Sequence, residues 1–327
     1  MNIADIAKLA GVSNAAVSRY FNNGYISEEK REAIRKVVEE TGYRPSIQAQ
    51  TLRTKKTRMI GVIIPKIASY SIGSVVAGIT EVLNENNYQM LLADTSNDPR
   101  KELEYLNVFK DKQVDGVILL ATVITPEHKK MLKGMKVPVV IVGQRLSGYC
   151  CVFHDDYHCM YDMAELFLDK GCKKIGYISA PAYDKAAGVQ RYEGVRDAVR
   201  DSGREDITIY KVTGDFSMES GYQAAAELLK QCDCLDGIIC TTDTMSLGAL
   251  RYLREQGCKL PEDMILSGHG NAVYTDATYP SITTVQYSYE ESGHTGAEML
   301  VDMINKKNTV VKEIMLGYSI KEKESTR

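Results

Sequence analysis

Along residues 3–21, apolar side chains recur at helical spacing in two short runs separated by Gly11. Ile6, Leu9 and Ala10 give a first helix its apolar face, and Val17 turns a second helix back toward it. Ala7 is small where the second helix must approach, and Gly11 permits a tight bend. Ser13 has the chemistry of an N-cap for the second helix, which is predicted to run to Phe21. A third helix is predicted over Ser27–Thr41. Ser27 is its cap, Glu28 and Glu29 suit the positive end of its dipole, and Gly42 suits its exit. A stripe of Ile34, Val37, Val38 and Thr41 seals the three helices together. Pro45 ends the unit by biasing Arg44 away from helical angles. Ser46–Arg53 then reads as a short helix and Thr54–Arg58 as a basic connector.

From Met59 the pattern changes. Short, nearly continuous apolar runs at Met59–Ile64, Met90–Ala93, Gly116–Leu120, Val137–Val142, Lys174–Ser179, Ile207–Val212, Gly237–Cys240 and Met264–Ser267 alternate with amphipathic helical stretches. The helices are predicted at Gly73–Asn86, Arg100–Lys112, Pro126–Lys133, Tyr157–Lys170, Gly188–Ser202, Ser220–Lys230 and Ser246–Gln256. Strands apolar on both faces belong in parallel sheets covered on both sides. So many repeats call for two doubly wound lobes behind an all-α head. Parallel sheets bind ligands beyond the carboxyl ends of their strands, so two facing lobes make a cleft.

The outward face of the second helix carries Ser13, Asn14, Ala15, Ser18, Arg19 and Asn22. Hydroxyl, amide and guanidinium groups at the start of an exposed helix suit the major groove of double-stranded DNA. Arg pairs with guanine, Asn pairs with adenine, and Ala15 offers only an apolar contact such as a thymine methyl. Charge is distributed to match. Residues 1–58 hold eleven Lys/Arg against six Asp/Glu, a net of +5, so the total of −3 leaves −8 on the rest. A basic head can bind phosphates while an acidic body stays off them.

Asp5 and Lys8 interrupt any signal-peptide run, and no apolar stretch of about 20 residues could span a bilayer. A cytoplasmic location without membrane association is expected. The eight cysteines lie between Cys150 and Cys258 without zinc-finger spacing. In a reducing compartment they read as buried small hydrophobes or spare thiols; Cys150-Cys151 and Cys232-Asp-Cys234 are the pairs whose spacing raises redox chemistry. His154 and His158 are four apart, but a strand-to-helix crossing there would spoil a shared metal face. No metal site or cofactor is expected. Neither a nucleophile elbow nor a Walker loop is present, and no Gly-x-Gly-x-x-Gly follows the first strand, which argues against an enzyme.

The chain resembles the lactose repressor (LacI/GalR) family of bacterial transcription regulators. The matching residues are Ile3-Ala-Asp-Ile-Ala, Ala10-Gly-Val-Ser13, Val17-Ser-Arg19, Thr41-Gly-Tyr-Arg-Pro45 and Ala49 to Leu52. The resemblance implies a helix-turn-helix domain over 1–45, a hinge helix and linker over 46–58, and a periplasmic-binding-protein-like core over 59–327. In that core, lobe 1 is about 59–156 with 286–313, and lobe 2 is 157–285 with 314–327. It implies a homodimer on operator DNA, with Asn14, Ala15 and Arg19 at base edges. Leu52 would wedge into the minor groove and kink the duplex, and Arg53 beside it counts among the DNA-binding residues.

The same resemblance places effector contacts at Ser71, Gln144, Lys185, Arg191, Phe216, Asp243, His269 and Tyr287. Arg191 stands in an Arg-x-x-Gly form, and Phe216 would stack on a ring. Arginine, amides and hydroxyls about an aromatic face suit a sugar or sugar phosphate, with sucrose the first guess. Gly143, Thr242-Asp243 and His269-Gly270 stand where family members often carry an acid, Asn-Asp and an aromatic-Asp pair, so the hydrogen-bond map differs; Gln144, His269 and Asn271 are the substitutes in view. The expected role is a repressor of carbohydrate-use genes. A regulator controlled by a phosphoprotein and a solute-binding protein are the rivals.

Overall fold

The computed structural model describes residues 1–21, 24–43, 56–111, 114–306 and 310–327, and the chain divides into two units, Met1–Arg58 and Met59–Arg327. In the first unit, α1 (Ile3–Leu9) opens with a reciprocal cap: the Asn2 side chain accepts from the Ala4 and Asp5 amides, and the Asn2 amide donates to Asp5. Gly11, at φ +64°, makes the bend, and Ser13 Oγ accepts from the Ala16 amide at 3.2 Å to start α2 (Asn14–Phe21). Gly42, at φ +62°, ends α3 (Glu28–Thr41).

Ile6, Ala7, Ala16, Val17, Ile26 and Ile34 form the buried center of this unit, with Ile3, Ala10, Val37, Val38 and Tyr43 around it. Three expectations need correction. Leu9 is 61% exposed, because the packed face of α1 is Ile3, Ile6, Ala7 and Ala10, spaced i, i+3, i+4, i+7, which points Leu9 to one side. Thr41 is exposed and turns its hydroxyl onto the Val37 carbonyl, leaving Tyr43 to complete the seal. Ser27 occupies the cap position of α3, but its side chain makes no capping hydrogen bond. Asn22, Leu52, Arg53 and the predicted helix over 46–53 lie outside the described residues.

In the second unit the first lobe holds a six-stranded, fully parallel sheet. Its strands are β1 (Met59–Ile64), β2 (Gln89–Asp94), β3 (Gly116–Leu120), β4 (Val139–Val142), β5 (Cys150–His154) and β11 (Glu313–Leu316), in the order β11-β5-β4-β3-β1-β2. Alternate residues serve opposite faces: Ile118 and Leu120 pack under α4 (Tyr70–Glu85) and α12 (Tyr289–Ile304), Val117 and Leu119 under α5 (Pro99–Lys110) and α6 (Pro126–Lys133). The second lobe is a parallel sheet of β6 (Lys174–Ser179), β7 (Thr208–Thr213), β8 (Gly237–Cys240) and β9 (Ile265–Ser267), in the order β7-β6-β8-β9. It lies between α7 (Asp156–Asp169) with α8 (Arg191–Asp201) and α9 (Met218–Gln231) with α10 (Asp243–Glu255). The short helix α11 (Tyr274–Ala277) and an antiparallel ribbon, β10 (Thr284–Tyr287) with β12 (Tyr318–Lys321), add to this lobe.

Strand pairing moves two of the lobe boundaries. Glu313–Leu316 pairs with Cys151–His154 in the first sheet, so the final return to the second lobe begins at Tyr318 rather than residue 314. Gln286 and Tyr287 still pair within the ribbon, so the preceding crossing falls at Ser288. The first crossing is at Asp155, which caps α7 through the His158 amide. Two helix pairs cross so closely that only glycine fits: a Cβ on Gly78 or Gly293 would strike the backbone of α12 or α4, and one on Gly221 or Gly248 the backbone of α10 or α9.

Candidate functional site

The head presents a polar surface on α2. Ser13, Asn14, Ala15 and Arg19 are exposed and Ser18 is half-buried, while Ala16 and Val17 face inward. Tyr25, in the loop before α3, is 92% exposed; no apolar pattern marks it in the sequence.

In the second unit, the carboxyl ends of both sheets enclose a cavity of about 400 Å³. Ser71, Thr122, Gly143 and Gln144 reach it from the first lobe, and Asp184, Arg191, Phe216, Asp243 and His269 from the second. Tyr287 lines it beside the crossing at Ser288, as do His154 and Tyr289. Of the eight expected effector residues, Lys185 alone is absent from the wall. It begins a π-helical turn (Lys185–Gln190) and is exposed, while Asp184, which caps that turn through the Ala187 amide, faces the cavity instead. Asn271 does not line the wall either; its Oδ1 accepts from Lys323 Nζ at 3.0 Å.

One part of the cavity wall is ionic. Arg191 Nε donates to Asp156 Oδ1 at 2.7 Å, and Nη1 donates to the Thr241 carbonyl at 2.7 Å. Tyr287 OH donates to the same Asp156 oxygen at 3.2 Å and meets Cys159 Sγ at 3.0 Å. Burial works against the charge of Arg191, but the Asp156 carboxylate overrides it and raises its pKa. The pair is therefore a fixed, neutralized unit. His154 stacks on Tyr287 with ring centers 4.2 Å apart, and burial lowers its pKa to about 4. Burial, reinforced by Arg191, also holds His269 well below the usual histidine value, so both rings are neutral near pH 7. His154 Nε2 and His269 Nδ1 have no hydrogen-bond partner among the described residues.

Two further carboxyls are held by their loops. Asp243 accepts from Thr284 Oγ1 at 2.6 Å and the Ala272 amide at 2.7 Å; burial nevertheless raises its pKa to about 6. Asp184 is raised to about 6 by the same cause, and its Oδ1 accepts from Gln144 Nε2 at 3.2 Å. Gln144 also donates to the Thr122 carbonyl, so this amide joins the two lobes directly. Phe216 is held at φ +71°, a costly conformation for a bulky side chain. Ser217 and Ser220 fix it there: the Asp215 amide donates to Ser220 Oγ, the Ser217 amide to Asp215 Oδ1, and Ser217 Oγ caps α9.

His154, Asp156, Asp184, Tyr289, Tyr70 and Tyr274 are cavity residues that sequence reasoning did not place there. Asp155–Asp156 falls at the strand-to-helix crossing expected near His154, where Asp155 caps α7. His154 and His158 diverge: the first is buried against Tyr287, while the second is 63% exposed and bonded to Asp155. Among the described residues no group of three or more His, Cys, Asp or Glu is placed to hold a metal ion, and no helix is long and apolar enough to cross a membrane.

A small three-helix head with a polar outer face, joined in one chain to a bilobal cavity of amides, hydroxyls and rings, defines a ligand-responsive regulator rather than a catalyst. The family described as bacterial regulatory proteins, lacI family, matches residues 2–46, and a periplasmic binding protein-like domain matches 164–326. The sucrose operon repressor of Staphylococcus xylosus is 34% identical over 93% of this chain and 93% of its own length. The HTH-type transcriptional regulator RegA of Clostridium saccharobutylicum is 30% identical over 99% of each chain. Among solved structures, the transcriptional regulator CelR in complex with cellobiose superposes with a TM-score of 0.75 at 28% identity over 99% of both chains. The lac repressor dimer on its operator shares the fold, with a TM-score of 0.90 at 20% identity over 100% of this chain and 99% of that one. The chain belongs to the LacI family of bacterial transcription regulators.

Proposed function

We propose that this regulator is a homodimeric repressor of carbohydrate-use genes whose operator affinity is set by a small sugar in the cleft. The observation that carries the reading is the cavity itself: seven of the eight residues expected to contact an effector line one space of about 400 Å³. Likeness to a sucrose operon repressor and to a regulator bound to cellobiose supports a sugar as ligand. The chemistry favors a neutral sugar over a sugar phosphate. Arg191 is already matched to Asp156, and the neutral His154 and His269 offer hydrogen bonds without charge. Phe216 covers a C–H face while Gln144, Ser71 and Asp243 meet hydroxyls.

Residues 46–58, with Leu52 and Arg53, serve in this reading as the hinge and minor-groove wedge, and Asn14, Ala15 and Arg19 read bases. Effector and operator are then linked: a sugar that releases the operator must bind the DNA-free form better, by the same factor. Selection from a random duplex library, followed by gel shifts at moderate salt with a panel of sugars, tests the proposal. The expected result is one palindromic sequence whose affinity shifts with sucrose or another neutral sugar. Binding that is equal on all sequences would refute the regulator role, and a response confined to phosphorylated sugars would refute the neutral ligand.

A further inference from the structure

Cys232-Asp-Cys234 lies at the opposite end of the second sheet from the cavity. Cys232 follows α9 and Cys234 precedes β8, where strands of this sheet begin; the cavity opens where they end. The two sulfurs are 3.8 Å apart. A disulfide needs about 2 Å, so rotation of an exposed side chain and a small shift of the turn would close the gap. Lys174, the first residue of β6, donates from Nζ to Cys234 Sγ at 2.8 Å. The backbone around that lysine is pinned, because Asp236 accepts the amides of Lys173 and Lys174 at 2.7 and 2.8 Å. Tyr210, paired with Gly176 on the neighboring strand, turns its hydroxyl to Cys232.

The other six cysteines are built differently. Cys150, Cys151, Cys159, Cys172 and Cys240 are buried, and Cys258 is partly so; Cys232 is buried too, but beside the exposed Cys234. Burial pushes the thiols of Cys151, Cys159, Cys240 and Cys258 up, and that of Cys172 to about 11. Cys232 goes the other way. Burial opposes its ionization, but the Cys234 amide, the Tyr210 hydroxyl, the Cys234 thiol and the Lys174 charge together overcome it and lower its pKa. Cys234 itself is exposed and open to reagents.

We propose that Cys232 and Cys234 form a modification site, a dithiol that hydrogen peroxide oxidizes to a reversible disulfide with assistance from Lys174. In the first step an oxygen of the peroxide bonds to Cys234 Sγ and the O–O bond breaks. The departing hydroxide leaves as water with the proton that Cys234 gives up through Lys174, and a sulfenic acid remains. Cys232 sulfur then attacks Cys234 sulfur: the S–S bond forms, the S–O bond breaks, and the hydroxyl leaves as a second water with the Cys232 proton. Two thiols and one peroxide become one disulfide and two waters, with two electrons passing from sulfur to oxygen.

The full chain, treated with stoichiometric hydrogen peroxide, alkylated and analyzed by peptide mass spectrometry, tests this. The peptide spanning Cys232 and Cys234 is expected to lose two hydrogens while the other six cysteines stay alkylatable, and dithiothreitol should restore it. Cys232→Ser should leave a sulfenic acid on Cys234 that dimedone traps. Cys234→Ser, at the exposed position, should abolish the loss of two hydrogens without disturbing the packed side of the turn. Lys174→Gln should slow the reaction about tenfold, because it removes the charged donor hydrogen-bonded to Cys234 Sγ. Oxidation of Cys258 at an equal rate, a peptide that gains oxygen without closing, or an unchanged rate in Lys174→Gln would each overturn the proposal.

Discussion

The two lobes contribute to one cavity with different chemistry. The first supplies mainly hydroxyls, amides and backbone, with a lysine among them: Ser71, Thr122, Asn97, Gln144, Gly143 and Lys66. The second holds Asp156, Asp184, Arg191, Asp243 and His269, each of them buried and most already tied to a neighbor. Yet the lobes are alike in construction, with parallel sheets and helix pairs crossing on glycine. The contrast teaches that recognition geometry is set in advance on one side. Charges that must be fully desolvated are best held where the fold has paired them, leaving the other side to close with mostly uncharged groups.

The largest effect should come from unpairing the second lobe. Asp156→Ala leaves Arg191 buried without its counter-ion and should destabilize the chain by about 3–5 kcal/mol in urea unfolding. Asp156→Leu with Arg191→Met should be milder than Asp156→Ala, because both charges go together. If the double change is worse, the ion pair is not the fixed unit described here. Next come the glycine crossings, where the lobes should behave alike. Gly78→Ala and Gly221→Ala should each lose about 1–3 kcal/mol by overpacking, and a much larger loss in one lobe would break the likeness.

Gln144→Ala tests the neutral side. It removes two hydrogen bonds within the chain, worth about 1 kcal/mol each, and the amide proposed to meet a sugar hydroxyl, so calorimetry should show weaker sugar binding and urea unfolding a loss of about 2 kcal/mol. The smallest effect concerns pH. Asp184 rises from 3.8 to about 6 on folding, so its contribution to stability is fully present below 3.8 and is lost as pH rises through 6. His154 falls from 6.5 to about 4, so its contribution is present above 6.5 and is lost as pH falls through 4. The two slopes oppose each other in one window. Asp184→Asn removes one of them, so its stability relative to the parent chain should decline as pH drops from 6.5 to 4; a constant difference would show that Asp184 is not raised.

Much of this was legible in the residues because periodicity reports burial. The head follows from a 3.6-residue repeat interrupted at Gly11, and the sheets from apolar runs such as Gly116–Leu120. The misses share a cause. Asp156 meets Arg191 across 35 residues with no repeat to announce it, and Asp184 was passed over for Lys185 because a π-helical turn swings one inward and the other out. Helix α12 escaped because Gly293, Gly296, Ser292 and Thr295 dilute its apolar face, although the glycines are what allow it to seat against the sheet and α4. Leu9 looked like core because any leucine near a helical stripe does, and only the crossing angle of neighboring helices decides which side is covered.

The polypeptide passes between the lobes three times, at Asp155, Ser288 and Gly317. A single tether would let one half wander and spin; three strands of backbone lying side by side, with His154 paired to Leu316 and Tyr287 to Tyr318, act like the knuckles of a door. They leave little beyond one swinging coordinate, so whatever settles in the gap pushes along that path and little of its effort is dissipated in other directions.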